Sequence, residues 1–417
     1  MNIYRSSIQL FIHTFIGSFM LLIISGCNEQ SPIAGSDLHN DTINASIISS
    51  DSVPMLIATS LLNSKPSASY PVDVFLGAAK GYTSTVLLRF TPDNIPDSGT
   101  YQIISAQLSL QPKRYAFGDT VSNRLAFDVF SIAKPWTPRA TIDTLRQSGF
   151  LESNAQGTFD ASIALRDTMP EISCDISPTL IKTWFDTKQK KIKDSSLNTE
   201  SAYAIALVPK PSSNVIRTFS RTKLTLDPAT NATLLDEAMI IRVICKKDGA
   251  SKNDTILVKT AYHGSFTSDP SIQSDKIIVN CGTGVYSGLD ISLKQLPAGI
   301  AIHGAVLKLT LDSASSVRGN QSRDSILTAQ FTDSTSGNLI REFSGWAKNG
   351  SDVYEFSVVN ALIESLLRNS RVGTLKIFPF IDRDRTRLDR LVFHGPNDPD
   401  PKKRPLLRII YSTRPKP

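Results

Sequence analysis

Aromatic residues beside predicted turns are the side chains of this sequence best suited to binding chemistry, because an aromatic ring can stack on the face of a sugar. Tyr115 directly follows Lys113 and Arg114, Phe117 lies two residues further on, and Trp136 lies in a proline-flanked stretch. We expect these residues to form a ligand-binding surface, with the cations favouring an acidic polysaccharide. Rings at turns also cap the cores of β-proteins, and for Trp136 that alternative is favoured. Further aromatic residues lie near predicted turns: Tyr82, Tyr286 and Trp346.

A catalytic site is hard to assemble from this sequence. The histidines after the N-terminal segment have no metal-ligand spacing, and the sequence contains neither a Gly-x-Ser-x-Gly elbow nor a phosphate-binding glycine loop. A pair of carboxylates could hydrolyse a glycoside, but with 38 Asp and Glu residues the sequence singles out no pair. We therefore expect binding without catalysis, and an enzyme is the least favoured class.

The most charged stretch alternates aspartate and arginine from residue 382 to residue 389. Asp382, Asp384 and Asp389 are weak candidates for calcium ligands, because calcium loops place an oxygen at every second residue. The turn glycine and the distal glutamate of an EF-hand are missing, so a solvated hairpin with cross-strand ion pairs is the favoured alternative. Calcium is the single cofactor that the sequence suggests.

Two stretches with a hydrophobic period of two lie far apart in the chain. In Ile103–Leu110, Leu108 and Leu110 alternate with polar residues, and Leu307 and Leu309 do so in Ile302–Leu309. This alternation is typical of an antiparallel strand with one buried face. Repeated short strands predict an all-β protein with two tandem, jelly-roll-like β-sandwiches.

Matching blocks in the same order indicate that the chain is an internal duplication. We expect a first sandwich at residues 53–247, a linker at 248–253 and a second sandwich at 254–414. Ser177-Pro178 predicts the start of one short helix in the first sandwich, with a basic loop at 188–193. The matched blocks are Leu180–Phe185 with Leu362–Leu367, Ile205–Pro209 with Leu375–Pro379, and Ile240–Ile244 with Leu406–Ile410.

A family resemblance rests on a series of segments and on their order along the chain. The segments are Leu88-Arg89-Phe90, Ile95-Pro96, Ile104–Leu108, Trp136-Thr137-Pro138, Asp175-Ile176-Ser177 before Trp184, and Arg404–Tyr411. This order resembles the DNRLRE domain, a jelly-roll β-sandwich of bacterial surface and secreted proteins. The resemblance implies a non-catalytic module, since some relatives are carbohydrate-binding modules.

The N-terminal segment predicts a signal peptide at residues 1–26. Arg5 precedes an apolar run from Ile8 to Ile24, and small residues then lead to Cys27. This arrangement resembles the lipobox of bacterial lipoproteins, which implies cleavage before Cys27 and its acylation. An ordinary signal peptide or a short membrane anchor is the alternative. Asn28 at the next position implies the outer membrane, and residues 27–52 read as a flexible tether.

Charge and cysteine content narrow the remaining classes. A formal net charge of +7 is spread along the chain, which argues against nucleic acid as a partner. The spacing of Cys174, Cys245 and Cys281 fits buried thiols better than zinc ligands, although Cys174 and Cys245 could pair in an oxidising compartment.

The sequence thus favours a lipoprotein of the bacterial cell envelope that binds a polysaccharide or another envelope polymer. The alternative is a structural or assembly lipoprotein whose partner is an envelope protein.

Overall fold

Antiparallel β-strands form most of the protein, and the prediction of an all-β fold is confirmed. The computed structural model describes residues 45–63, 73–137, 139–166, 168–226, 233–268, 275–348, 350–380 and 386–413.

The strands of the first part of the chain alternate with two helices. The strands are β1 (Ala45–Ser49), β2 (Leu56–Asn63), β3 (Asp73–Ala79), β4 (Tyr82–Phe90), β5 (Tyr101–Gly118), β6 (Arg124–Ile132), β7 (Leu151–Ser162), β8 (Ile172–Asp175), β9 (Ala204–Pro209), β10 (Val215–Ser220), β11 (Thr222–Leu226), β12 (Thr233–Glu237) and β13 (Ile240–Lys247). The helices are α1 (Ile142–Leu145) and α2 (Pro178–Lys193).

The second part of the chain contains the remaining elements. Its strands are β14 (Asp254–Ser268), β15 (Ile277–Asn280), β16 (Val285–Ser292), β17 (Ile300–Thr310), β18 (Ile326–Asp333), β19 (Leu339–Ala347), β20 (Val353–Ser357), β21 (Val372–Pro379), β22 (Arg390–Phe393) and β23 (Leu406–Thr413), and its helix is α3 (Val359–Leu367).

Two sandwiches form from these strands, and the main strand pairings of one recur in the other. In the first sandwich β5 pairs with β13 and β8, and β9 lies between β4 and β6. In the second, β17 pairs with β23 and β20, and β21 lies between β16 and β18. Each has its own core, in which Leu108 and Leu307 are fully buried, as their alternation predicts.

The sandwich boundaries differ from the expected ones, because each half of the chain supplies its first strands to the other half. The N-terminal arm (residues 45–63) pairs with the second sandwich, β1 with β23 and β2 with β16. The central arm (residues 254–268, strand β14) pairs with the first sandwich, on β13 and then on β4. A hydrophobic period of two predicts that a strand has a buried face, but it does not identify the sheet that the strand joins. The exchange of strands between the halves could therefore not be predicted from the sequence.

Two smaller boundary predictions are corrected by the same pairings. The expected tether at 27–52 contains β1, whose Ile48 packs against the second core. The expected linker at 248–253 is the short connection of the hairpin formed by β13 and β14, where Gly249 has a φ of +79°. A backbone conformation with a positive φ favours glycine, so Gly249 suits the tight turn at this position.

The predicted helix of the first sandwich is present as α2, and it buries Leu180, Ile181, Trp184 and Phe185. It continues through residues 188–193, which were expected to be a loop. The reason lies in the lysine side chains: Lys188 forms an ion pair with Asp97 at 2.8 Å, and Lys191 donates to the carbonyl of Leu197 at 2.7 Å. Cations in the last turn also suit the negative end of the helix dipole.

The outer surfaces of the two sandwiches meet in a small apolar cluster. Phe75, Tyr115 and Phe117 from the first sandwich pack there with Leu388 from the second. Asn320 adds a hydrogen bond beside this cluster, because its side-chain oxygen accepts from the backbone N–H of Ala116 at 2.9 Å.

Cys174, Cys245 and Cys281 are buried, and no disulfide joins them in the described part of the chain. Cys174 lies opposite Leu108 and Cys245 opposite Ile103, on opposite sides of β5. A separation of about 17 Å along the strand far exceeds the reach of a disulfide, so the suggested bridge does not form. Burial raises the pKa of Cys174 to about 12, which keeps it protonated.

Candidate functional site

The residues expected to bind a ligand do not form an exposed platform. Tyr115 is only 3% exposed, and Phe117 is fully buried between the sandwiches. The Tyr115 hydroxyl donates to Asp389 at 3.0 Å and accepts from the Leu388 amide at 2.9 Å. Its hydrogen-bonding capacity is therefore used inside the protein, and the prediction of an exposed ring was wrong.

The neighbouring Lys113 side chain and the Arg114 backbone also have structural partners. Lys113 forms an ion pair with the buried carboxylate of Asp73 at 2.7 Å. The carbonyl of Arg114 accepts from the Asn320 side chain at 2.8 Å, which fixes the backbone at the contact between the sandwiches. With Tyr115 and Phe117 turned inward, these cations do not flank an aromatic surface.

Trp136 lies in a loop that covers one face of the first sandwich. This covering loop (residues 133–150, of which Pro138 is not described) connects β6 to β7. Trp136, Ala140 and Phe150 pack on residues of β4, β9 and β14. The Trp136 ring meets Tyr262 edge-on at 4.8 Å, and its carbonyl accepts from the Tyr262 hydroxyl. Trp136 is thus a core residue, as the favoured alternative held.

In the second sandwich, the connection that corresponds to the covering loop is short. Its strands β18 and β19 are joined by residues 334–338 alone. Asp333 accepts from the amides of Thr335 and Ser336 at 2.8 and 2.7 Å, and Gly337 takes a φ of +70°. Such a short turn cannot extend over the sheet, so this connection leaves the corresponding face open.

Aromatic side chains gather on this open face, defined as the outward side chains of β16, β21, β18 and β19. The ring centroids of Tyr286 and Phe378 lie 4.3 Å apart, and the two ring planes meet at an angle of 48°. Phe380 follows at the end of β21, and Trp346, opposite Ile326 in the register, is 55% exposed. An exposed aromatic surface of this kind on a sheet indicates an interaction site.

Polar side chains lie between the rings. Gln330 donates to the carboxylate of Glu342 at 2.7 Å, and Thr328 pairs in register with Phe378 and Ser344. Together they line an open groove of about 600 Å³, which falls in the range of ligand sites. The groove is lined by Asn280, Gly284, Tyr286, Thr328, Gln330, Glu342, Phe343, Ser344, Phe378, Pro379 and Phe380.

The electrostatics of the groove differ from those expected for the site. Among the described residues that line it, Glu342 alone carries a formal charge, and the others are aromatic, amide, hydroxyl or small. Lys376 is the nearest cation in the register, between Gly288 and Gln330. The lining therefore offers hydrogen bonds and stacking to an uncharged ligand, and the one charge among its described residues is negative.

Sequence reasoning noted Tyr286 and Trp346 near turns but did not connect them with Phe378. These residues are far apart in the chain and meet only through the strand register. One signal was available: the first half has a long insertion between its matched strands, whereas the second half has a short turn there.

The calcium candidates do not form a site in the described part of the chain. Asp382 and Asp384 lie outside the described residues. Asp389 is buried and accepts from the Gly319 amide at 2.8 Å as well as from Tyr115. Within the described ranges, the structure holds no cluster of three or more residues of the metal-ligating types.

Comparisons with known proteins add little. Neither a protein-family model nor a curated protein matches the chain. Among solved structures, the VP2 subviral particle of infectious bursal disease virus is 10% identical, covers 88% of this chain and 76% of its own, and has a TM-score of 0.13. The structure of the Gt strain of that virus is 10% identical, with 88% and 77% covered and a TM-score of 0.12. Scores this low carry no argument about this protein.

Cys27 and the predicted signal peptide lie outside the described residues. Within the described ranges, none of the helices has the length and apolar character needed to cross a bilayer.

Proposed function

We propose that this protein is a non-catalytic, polysaccharide-binding lipoprotein of the bacterial cell envelope, and that it binds its ligand on the open face of the second sandwich. The observation that supports this most is the pairing of Tyr286 and Phe378 beside Gln330 and Glu342. Rings that stack on sugar faces, next to amides and carboxylates that bond hydroxyl groups, are the chemistry that a glycan requires.

The lining favours a neutral polysaccharide over an acidic one. Glu342 is exposed and would face the uronate or sulfate groups of an acidic chain, so such a chain brings like charges together. The ring planes of Tyr286 and Phe378 differ by 48°, so they cannot both lie flat on one planar surface. A single twisted glycan chain, with successive sugars on successive rings, fits this arrangement.

Binding without catalysis fits the groove. Glycoside hydrolysis by carboxylates needs two of them across the scissile bond, and Glu342 is the one carboxylate among the described lining residues.

A glycan panel read by calorimetry tests the proposal with the full chain in detergent. We expect micromolar to millimolar affinity for a neutral polysaccharide and weaker binding of acidic ones. Phe378→Ala should weaken binding by about tenfold, because a stacked ring contributes roughly 0.5–1.5 kcal/mol beyond the area that it buries.

The matched control is Leu224→Ala, which truncates an exposed residue on a different hairpin. It should leave the affinity unchanged. Equal affinity of wild type and Phe378→Ala for every bound glycan, or no binding to any glycan, would refute the assignment of the open face.

The envelope location has its own test. Cys27→Ala should prevent acylation and move the protein from the membrane fraction to the soluble fraction, since lipid chains supply the membrane affinity. Mass spectrometry of the N-terminal peptide should show lipid on Cys27 in the wild type. An unmodified Cys27 together with unchanged membrane association would contradict the lipoprotein proposal.

A further inference from the structure

We propose that the second sandwich is a strand-acceptor site for residues 45–63, and that it can take this N-terminal arm from a second copy of the chain. This inference is independent of the proposed glycan site. It concerns how copies of the protein join.

The acceptor site has two edges and a pocket. β1 completes one edge by pairing with β23, and β2 completes the other by pairing with β16. Between them Met55 is fully buried in the core of the second sandwich, and its carbonyl accepts from the Ser292 amide at 2.8 Å. Main-chain pairing gives such strand addition its affinity, and a buried side chain gives it specificity.

The arm is bound by the second sandwich but is covalently continuous with the first. Residues 64–72 alone join β2 to β3, which belongs to the first sandwich. The central arm already crosses in the opposite direction, so each sandwich is completed by a segment from the other half of the chain. An element bound across a connecting segment is the type that neighbouring copies exchange, because both arrangements make the same contacts.

The partner is specified by the arm's own residues. Ile48, Val53 and Leu56 pack with Met55 against the second core, and Ser50 exchanges hydrogen bonds with Leu407. A second copy of this chain carries all of these groups in the required order, so it is the partner that the site fits.

A nicked protein tests the acceptor site. A protease site is inserted between residues 64 and 72 of the full chain, which is then cut in detergent. We expect the cut arm to remain bound, and to be replaced one-for-one by a labelled peptide of residues 45–63 under mild denaturant. A peptide with Met55→Asp should be incorporated at least about tenfold less, because it places a charge in the core.

Failure to incorporate the labelled peptide, or equal incorporation of the Met55→Asp peptide, would overturn the acceptor site. The second copy is tested with uncut chains of normal and heavy isotope composition. The two are mixed at high concentration, partly unfolded and returned to native buffer. Native mass spectrometry should then detect mixed dimers, and Met55→Asp chains should give none. If the wild-type mixture yields monomers and no mixed dimers, the proposed exchange between copies is wrong.

Discussion

The Tyr115 hydroxyl joins the two halves of the chain through a single oxygen atom. It donates to Asp389 and accepts from the Leu388 amide, both of which belong to the second sandwich. Burial, with the negative charge of Asp389 beside it, raises the pKa of Tyr115 well above its usual value. The phenol therefore stays protonated and remains a hydrogen-bond donor at any physiological pH.

The half-buried carboxylate of Asp312 is a second titratable group with strong partners. It pairs with Lys276 at 2.7 Å and accepts from the Ser315 hydroxyl at 2.7 Å. Burial alone would raise the pKa of Asp312, but the hydrogen bonds from Lys276 and Ser315 outweigh it and hold the pKa well below its usual value. The ionised form is therefore favoured by folding.

Asp312→Asn should flatten the acid limb of the stability profile. Because the pKa in the folded state lies below that in the unfolded state, Asp312 stabilises the fold above about pH 4. That contribution is lost as the pH falls towards the folded-state pKa. Urea denaturation from pH 7 to pH 2 should show the variant less stable at neutral pH and converging with wild type in acid. Parallel curves would contradict this assignment, and Lys276→Gln should reproduce the convergence.

At the scale of elements, one connection decides which sandwich has an accessible face. The covering loop buries one face of the first sandwich under Trp136 and Phe150, whereas the turn at 334–338 is too short to cover the corresponding face of the second. The same sheet geometry therefore forms a second layer of core in one half and a groove in the other. Divergence of a loop, with the strands kept, is the usual route by which one fold acquires different sites.

Helix α2 is held by its aromatic contacts. The buried ring of Trp184 contacts two other rings, with centroid distances of 5.6 Å to Phe90 and 5.9 Å to Tyr203. Trp184→Ala should reduce the free energy of unfolding by about 3–5 kcal/mol, because it leaves a large cavity in the first core. Ile192→Ala, on the exposed side of the same helix, should change it by less than about 0.5 kcal/mol. Similar denaturation midpoints for the two variants would contradict this packing.

At the scale of the whole molecule, the exchanged arms tie the stability of each sandwich to the other. The N-terminal arm cannot stay paired when the second sandwich unfolds, and the central arm depends in the same way on the first. Residues 45–417 accordingly form one compact unit.

Leu108→Asp and Leu307→Asp should each destabilise both sandwiches together. Both leucines are fully buried, so either substitution buries an unpaired charge at a cost of several kcal/mol, roughly 3 or more. Hydrogen exchange should show amides of both cores losing protection in either variant. Surface Lys308→Asp should cost far less. Loss of protection confined to the substituted sandwich would show that the halves unfold independently.

The local structure could be predicted from the sequence, whereas the pairing between distant segments could not. Alternation in Ile103–Leu110, the Ser177-Pro178 helix start and the matched blocks predicted the strands, helices and two sandwiches. Tyr115 could not be placed, because its burial depends on a contact between the halves that no local pattern records. The groove was missed for the same reason, since Tyr286 and Phe378 meet only across strands.

The pairing of β1 with β23 has a mechanical consequence. It attaches the start of the N-terminal arm directly to the sandwich that carries the open face. Tension between residue 45 and a molecule held on that face would enter the second sandwich through these hydrogen bonds. Because antiparallel hydrogen bonds run perpendicular to their strands, a pull along β1 would shear several of them at once instead of unzipping them singly. The load would then pass from the proposed tether to the ligand without crossing the first sandwich.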